Sequence, residues 1–193
     1  QKILYNPYKV IHNSPVKRHQ TLKPKKSVTS NHIKEISNTN LYKNHFKEIH
    51  VSGDGNCLFR SVVVSLNGGK YNNIVTENIL AHDLRRKVAN WLRNHKTNWN
   101  NFINTTRYQT SNNYITTISR NKEWGGNIEL LAISKIYNKN IHIYSKLTGK
   151  KDVPRSLIQN NRKDNIYLLY DDEYAGCEHY SALVPKKKQM KLK

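Results

Sequence analysis

Ser52-Gly53-Asp54-Gly55-Asn56-Cys57-Leu58-Phe59-Arg60 sets a cysteine directly behind a glycine-containing turn, at the head of an apolar run that continues through Val62-Val63-Val64. Gly55 reaches backbone angles that other residues avoid, so the chain can turn sharply there. The run predicts a helix from Cys57 to about Leu66, with the cysteine in its first turn. A helix start carries partial positive charge and unpaired N–H groups. Both favour a thiolate, the nucleophilic form of cysteine. The amides of the loop, Gly55 and Asn56 among them, are placed to meet an oxyanion on a carbonyl attacked by that sulfur. The loop alone also fits a buried helix cysteine behind an ordinary turn, because single motifs transfer poorly.

A thiol nucleophile needs a base, and the chain holds nine histidines. His12, His19, His32, His45 and His95 stand in Asn- and Lys-rich surroundings and read as surface residues. His179 lies in Glu178-His179-Tyr180-Ser181-Ala182-Leu183-Val184, whose alternation predicts a strand. It follows another predicted strand, Asn165-Ile166-Tyr167-Leu168-Leu169-Tyr170. Distance along the chain is no obstacle to a Cys57–His179 pair, since such partners meet in space. A strand histidine by itself is commonly structural, and His179 gains its weight from Cys57.

Three blocks in fixed order then resemble the ovarian-tumour (OTU) cysteine proteases, a family of deubiquitinases. They are Asp54-Gly55-Asn56-Cys57-Leu58-Phe59-Arg60, Glu123-Trp124-Gly125-Gly126-Asn127-Ile128-Glu129-Leu130, and Glu178-His179-Tyr180-Ser181. The resemblance covers residues 46–184. It implies Cys57 as nucleophile, His179 as base, no metal or cofactor, and ubiquitin or polyubiquitin as substrate. Many members carry Asp or Asn two residues after the histidine to orient its ring; here that position is Ser181. Residues 179 and 181 share a strand face. A serine hydroxyl is neutral and supports an imidazolium less well than a carboxylate. Asp54 is the other candidate, since some members use an aspartate three residues before the cysteine. It reads equally as a turn residue capping the loop amides. The third member is left open between Asp54, Ser181 and another group.

The charge of +20 over 193 residues is unevenly spread. Residues 1–45 carry nine Lys/Arg and one Glu, and residues 186–193 carry five Lys. The first 45 residues, with Pro7, Pro15 and Pro24 and many Asn and Ser, read as a loosely ordered basic extension with a short helix expected over 33–46. Residues 185–193 read as a basic tail resembling a nuclear import signal. Contact with nucleic acid through these tails is an alternative, but no interleaving of aromatic and basic residues marks a base-stacking platform. Two cysteines make no disulfide framework and suggest a reducing compartment, cytoplasm or nucleus. Cys177 reads as a packed strand cysteine. No apolar stretch reaches membrane-spanning length. The first residue is Gln, which leaves room for a preceding segment. The abundance of Asn, Lys and Ile fits an AT-rich genome, such as that of an intracellular bacterium or virus, and so an effector acting on host ubiquitin.

The coarse pattern predicts strands over 47–51, 141–144, 166–170 and 179–184. It predicts helices over 57–66, 76–94, 111–118 and 127–137. The 76–94 helix shows Ile79, Leu80, Leu84, Val88, Trp91 and Leu92 at three- and four-residue spacings. Helices around a small sheet make an α/β (α+β) sandwich. Trp124 is expected to pack with one wall toward the substrate channel, and Glu129 to be a helix-start charge or buried hydrogen-bond partner. Asp171, Asp172, Glu173 and Glu178 cluster against a basic background and are expected to bind arginines of the ubiquitin tail. An ordinary solvated turn is the alternative. The function expected is a thiol isopeptidase acting on ubiquitin. The alternatives are a protease for another modifier or a viral polyprotein, and a non-catalytic binding module.

Overall fold

Within the strand Asn165–Asp171, Ile166 and Leu168 enter one apolar cluster while Tyr167 and Leu169 enter another. That is the two-residue period of a strand covered on both faces. The computed structural model describes residues 42–70, 73–146, 156–158, 164–171 and 178–186. Its helices are α1 (Tyr42–His45), α2 (Cys57–Leu66), α3 (Ile74–Asn94), α4 (Thr105–Tyr108), α5 (Ser111–Ile118) and α6 (Asn127–Tyr137). Its strands are β1 (Phe46–Ile49), β2 (Asn140–Ser145), β3 (Ser156–Ile158), β4 (Asn165–Asp171) and β5 (His179–Pro185). They form one sheet in the order β1-β5-β4-β2-β3. Only β2 and β4 pair in parallel. This mixed sheet with packed helices is the expected α/β sandwich.

Helix α2 is buried from Leu58 to Val64 and packs against β5, β4 and α3. Two serines fasten it to β5, with Ser61 Oγ donating to the Tyr180 carbonyl at 2.9 Å and Ser65 Oγ to that of Leu183 at 3.5 Å. The first bond fixes the start of α2 beside the start of β5, which brings Cys57 toward His179. Local signals begin the other helices. Asn73 caps α3 by accepting the Thr76 N–H at 2.7 Å, and Thr110 caps α5 by accepting that of Asn113 at 3.1 Å. Glu129 reaches back to the Gly126 N–H at 2.7 Å at the start of α6.

Several expectations shift. The buried face of α3 is Ala81, Leu84, Arg85, Val88, Ala89 and Leu92, whereas Ile79 and Leu80 are 57% and 37% exposed. The first turns of α3 extend past the core, so helical spacing there does not mean burial. Strand β1 ends at Ile49, leaving His50 and Val51 free to approach the site. Strand β3 and helix α4, both short, carry no strong periodic signal and were not expected.

Tyr42, four residues before the expected boundary at 46, is part of the packed structure. Tyr42 is 1% exposed and packs with Tyr144, Leu169 and Leu183, beside Phe46 and Tyr167, on the sheet face away from α2. The Lys186 N–H donates to the His45 carbonyl at 2.8 Å, and Lys186 Nζ to that of Lys43 at 2.7 Å. The ends of the domain are therefore stitched together. The remainder of both basic extensions, including most of the 33–46 segment expected to contain a helix, lies outside the described residues. Among the described residues no helix is long and apolar enough to cross a membrane.

Candidate active site

The turn before Cys57 depends on one glycine. Gly55 has φ +86°, and a Cβ there would stand 1.8 Å from the Lys122 carbonyl oxygen. Both facts require glycine. Around this turn the polar groups are tightly committed. The Asn56 N–H donates to Asp54 Oδ1 at 3.1 Å, so Asp54 caps the loop. The Asn56 side chain donates to Asn121 Oδ1 at 3.0 Å and accepts from Arg85 at 2.8 Å and from the Lys122 N–H at 3.2 Å. Gly55 and Asn56 thus shape the loop, and the Asn56 N–H is already used within it.

Two buried arginines hold this arrangement, and sequence reading missed both. Arg85 on α3 is 1% exposed. It donates to the carbonyls of Gly55 (3.1 Å), Ile118 (2.8 Å) and Glu123 (2.6 Å), and its guanidinium lies 4.2 Å over the Phe59 ring. Arg60 on α2 grips Asp54 with two nitrogens, one to each carboxylate oxygen. It also reaches the Ser52 carbonyl, Asn78 and Glu77. A signal existed. Arg60 is followed three and four residues on by Val63 and Val64, and Arg85 by Val88 and Ala89, all core residues. A buried arginine demands several acceptors.

Cys57 lies where α2 meets β5. Burial is the largest influence on its thiol and pushes the pKa up. Backbone N–H groups of Tyr180 and Leu58, and its own, pull the other way, while the charge of Asp54 adds to the rise. The net direction is above the ordinary thiol value, against the expectation that the helix start alone would favour thiolate. His179 is the residue before Tyr180, so the start of α2 that carries Cys57 adjoins the strand start that carries His179. The ring rests on Gly53, where an added Cβ would come 3.5 Å from Nδ1. Burial lowers the pKa of His179 most strongly; a backbone hydrogen bond to Val51 and the charge of Asp171 raise it, and His50 and Lys146 lower it. The net direction is below the ordinary histidine value.

Neither expected third member engages the ring. The carboxylate of Asp54 is turned to Arg60, whose hydrogen bonds and charge outweigh burial and hold it below the ordinary carboxylate range. Ser181, 2% exposed, has its Oγ 3.5 Å from Nδ1 of His50. The Val51 backbone lies near enough to the His179 ring to raise its pKa. Asp171 stands directly opposite His179 in the β4–β5 ladder and is ion-paired with Lys146. Asp172, Glu173 and Cys177 lie outside the described residues, and Glu178 is half-buried beside the histidine. Trp124 is 61% exposed rather than packed, and it is the next residue, Gly125, whose backbone lies close against Phe59 and Leu58. Glu129 is a buried hydrogen-bond partner, accepting from the Tyr114 hydroxyl at 2.6 Å. A groove lined by Val63, Leu66, Leu84 and Tyr137 lies toward the other end of α2 from Cys57. Among the described residues no cluster of His, Cys, Asp and Glu could hold a metal ion.

The profile of the OTU-like cysteine proteases matches residues 52–180, which holds Cys57, the Trp124 block and His179. The chain is 30% identical over 144 residues to the OVARIAN TUMOR DOMAIN-containing deubiquitinating enzyme 6 of Arabidopsis thaliana, covering 74% of this chain and 25% of that protein. It is 34% identical over 154 residues to L96 of Tipula iridescent virus, covering 72% and 16%. The chain thus spans a quarter or less of these two relatives. In fold it is similar to the OTU domain of OTUD1, with TM-score 0.55 and 22% identity over 77% of this chain and 93% of that one. It is likewise similar to the Hazara virus OTU bound to ubiquitin, with TM-score 0.54 and 17% identity over 76% and 85%. By its matched profile and its relatives, this chain belongs to the OTU-like cysteine protease family.

Proposed function

We propose that the domain is a thiol-dependent deubiquitinase in which Cys57 is the nucleophile and His179 the general base. The observation that carries this reading is the junction of α2 with β5. There Ser61 Oγ of α2 donates to the Tyr180 carbonyl, which sets the helix start bearing Cys57 against the strand start bearing His179. The choice of ubiquitin draws on the relatives: the Arabidopsis protein is named a deubiquitinating enzyme, and the Hazara virus domain is bound to ubiquitin.

The chemistry follows from the resting protonation states. His179, neutral, takes the thiol proton as sulfur attacks the carbonyl carbon at the ubiquitin C-terminus. Backbone N–H groups at the start of α2 stabilise the negative charge that develops on the carbonyl oxygen. The imidazolium returns its proton to the departing lysine amine, leaving a thioester. His179 then draws a proton from water, whose oxygen attacks the thioester and releases the free carboxylate and the Cys57 thiol. Arg60 and Arg85 keep the loop rigid, which matters because misplacement by about 1 Å can cost on the order of 100-fold in rate.

The test is covalent capture by ubiquitin carrying a C-terminal propargyl group. Wild-type protein and His179→Ala are expected to label, the latter slowly, and Cys57→Ala not at all. Turnover of a ubiquitin–fluorophore substrate should fall by at least about 100-fold in His179→Ala. Labelling of Cys57→Ala equal to wild type would remove the nucleophile assignment. Absence of labelling in the wild-type protein, alongside labelling by a probe built on another modifier, would move the substrate and keep the chemistry.

A further inference from the structure

Three adjacent strands end in a row of charge beside His179. β2 and β4 run parallel with Ser145 opposite Tyr170, and the next residue, Lys146, donates its N–H to the Tyr170 carbonyl at 3.1 Å. Its ammonium is ion-paired with Asp171, the last residue of β4. Asp171 in turn is the cross-strand partner of His179, the first residue of β5. Directly opposed residues have Cβ atoms about 4.5–5.5 Å apart and lie on one face. The row therefore reads Lys146, Asp171, His179 across β2, β4 and β5. The side chains of Lys146 and Asp171 are only 20% and 27% exposed, so their charges are less screened than those of a surface pair.

The other groups around the ring leave this position to Asp171. On the β1 side stand Val51, which offers a carbonyl without charge, and His50, a second titratable ring. Glu48 lies 3.5 Å from His50, so its charge is directed there. The hydroxyl of Ser181 lies against the same His50. Asp54 is held by Arg60. Among the described residues Asp171 is the carboxylate whose charge acts most on the His179 ring, and its effect exceeds the opposing one of Lys146.

We propose that Asp171 is the positioning carboxylate for His179, the role this chain gives to neither Asp54 nor Ser181, and that Lys146 tempers it. As His179 takes the thiol proton, positive charge appears on the ring opposite a fixed negative one, and the imidazolium is stabilised. Lys146 holds the carboxylate in place and offsets part of its field, so the ring stays neutral at rest and still accepts a proton during attack. The inference deepens the general-base assignment of His179 and rests on it for its catalytic meaning.

The experiment has a reading that needs no substrate. The imidazole of His179 is titrated by NMR in the full chain, its signal identified with a His179→Gln variant. Asp171→Asn, which keeps shape and removes charge, should lower the His179 pKa by about 0.5–1 unit, and Lys146→Met should raise it by a similar amount. In ubiquitin–fluorophore hydrolysis, Asp171→Asn should lower kcat about 10-fold or more with KM within about 2-fold, and Asp171→Glu should recover part of the loss. An unmoved His179 titration in both variants overturns the proposal even if Cys57 still labels. A rise in KM alone with kcat and titration unchanged also overturns it, and returns Asp171 to binding arginines of the substrate. Should the wild-type protein fail to act on ubiquitin, the proposed function fails, while the titration still decides whether Asp171 governs the ring.

Discussion

Replacing Asp54 by Asn separates two roles that an aspartate three residues before the nucleophile can play. The carboxylate is bound at both oxygens by Arg60 and caps the Asn56 N–H. Asparagine keeps one acceptor but turns an NH2 group toward the Arg60 nitrogen that the second oxygen now meets. Arg60, with a side chain 5% exposed, keeps Glu77, Asn78 and the Ser52 carbonyl. The loss is therefore one charge-assisted hydrogen bond of a half-buried pair, about 1–2 kcal/mol. For a domain of this size that lowers Tm by about 3–8 °C. The pH dependence has a definite sign. The folded carboxyl lies below its ordinary value, so its stabilising contribution is present above that value, about 3.9, and is lost as pH falls through the lower folded value. The difference between wild type and variant should thus close in acid. Asp54 does not face the imidazole, so kcat of the folded variant should stay within about 5-fold of wild type. Thermal unfolding between pH 3 and pH 7, with single-turnover hydrolysis below Tm, measures both. An unchanged Tm with a 100-fold fall in kcat would refute this reasoning and make Asp54 the partner of the imidazolium.

Two further outcomes follow from the geometry. The acid limb of kcat/KM should have its midpoint below the ordinary histidine value of about 6.5, because burial keeps His179 neutral and protonation removes the base; a midpoint at or above that value would contradict it. Truncation to residue 41 should leave unfolding by urea nearly unchanged, whereas Tyr42→Ala should cost about 3–4 kcal/mol, since it empties a fully buried ring site between Tyr144, Leu169 and Leu183; equal stability of Tyr42→Ala and wild type would show that the domain begins later.

The elements that read well from sequence are those whose period and ends agree. Helix α2 is a near-continuous apolar run behind a glycine turn, and α6 follows a glycine pair and opens on a Glu that caps its own start. β4 and β5 alternate. What did not read is burial that period alone overstates or understates. Ile79 and Leu80 have the right spacing but lie on the turns of α3 that overhang the core, while Arg85 lies on the buried stripe and looks polar. Tyr42 sits in a basic, Asn-rich stretch, and only the sheet face it covers shows why it is buried. Such placements depend on contacts distant in sequence.

The site divides the same way. Gly55 is legible because its turn demands that residue type, and Cys57 and His179 stand out as the nucleophile and base proposed here. Their protonation is not, because it is set by a balance of opposing influences. A helix start and three N–H groups pull the Cys57 thiol toward the thiolate, yet burial against β5 and the charge of Asp54 win. Burial likewise outweighs Asp171 at His179. Both displacements favour the neutral form. The geometry suits proton transfer during attack, when the substrate carbonyl accepts the charge that this half-buried junction disfavours on resting sulfur.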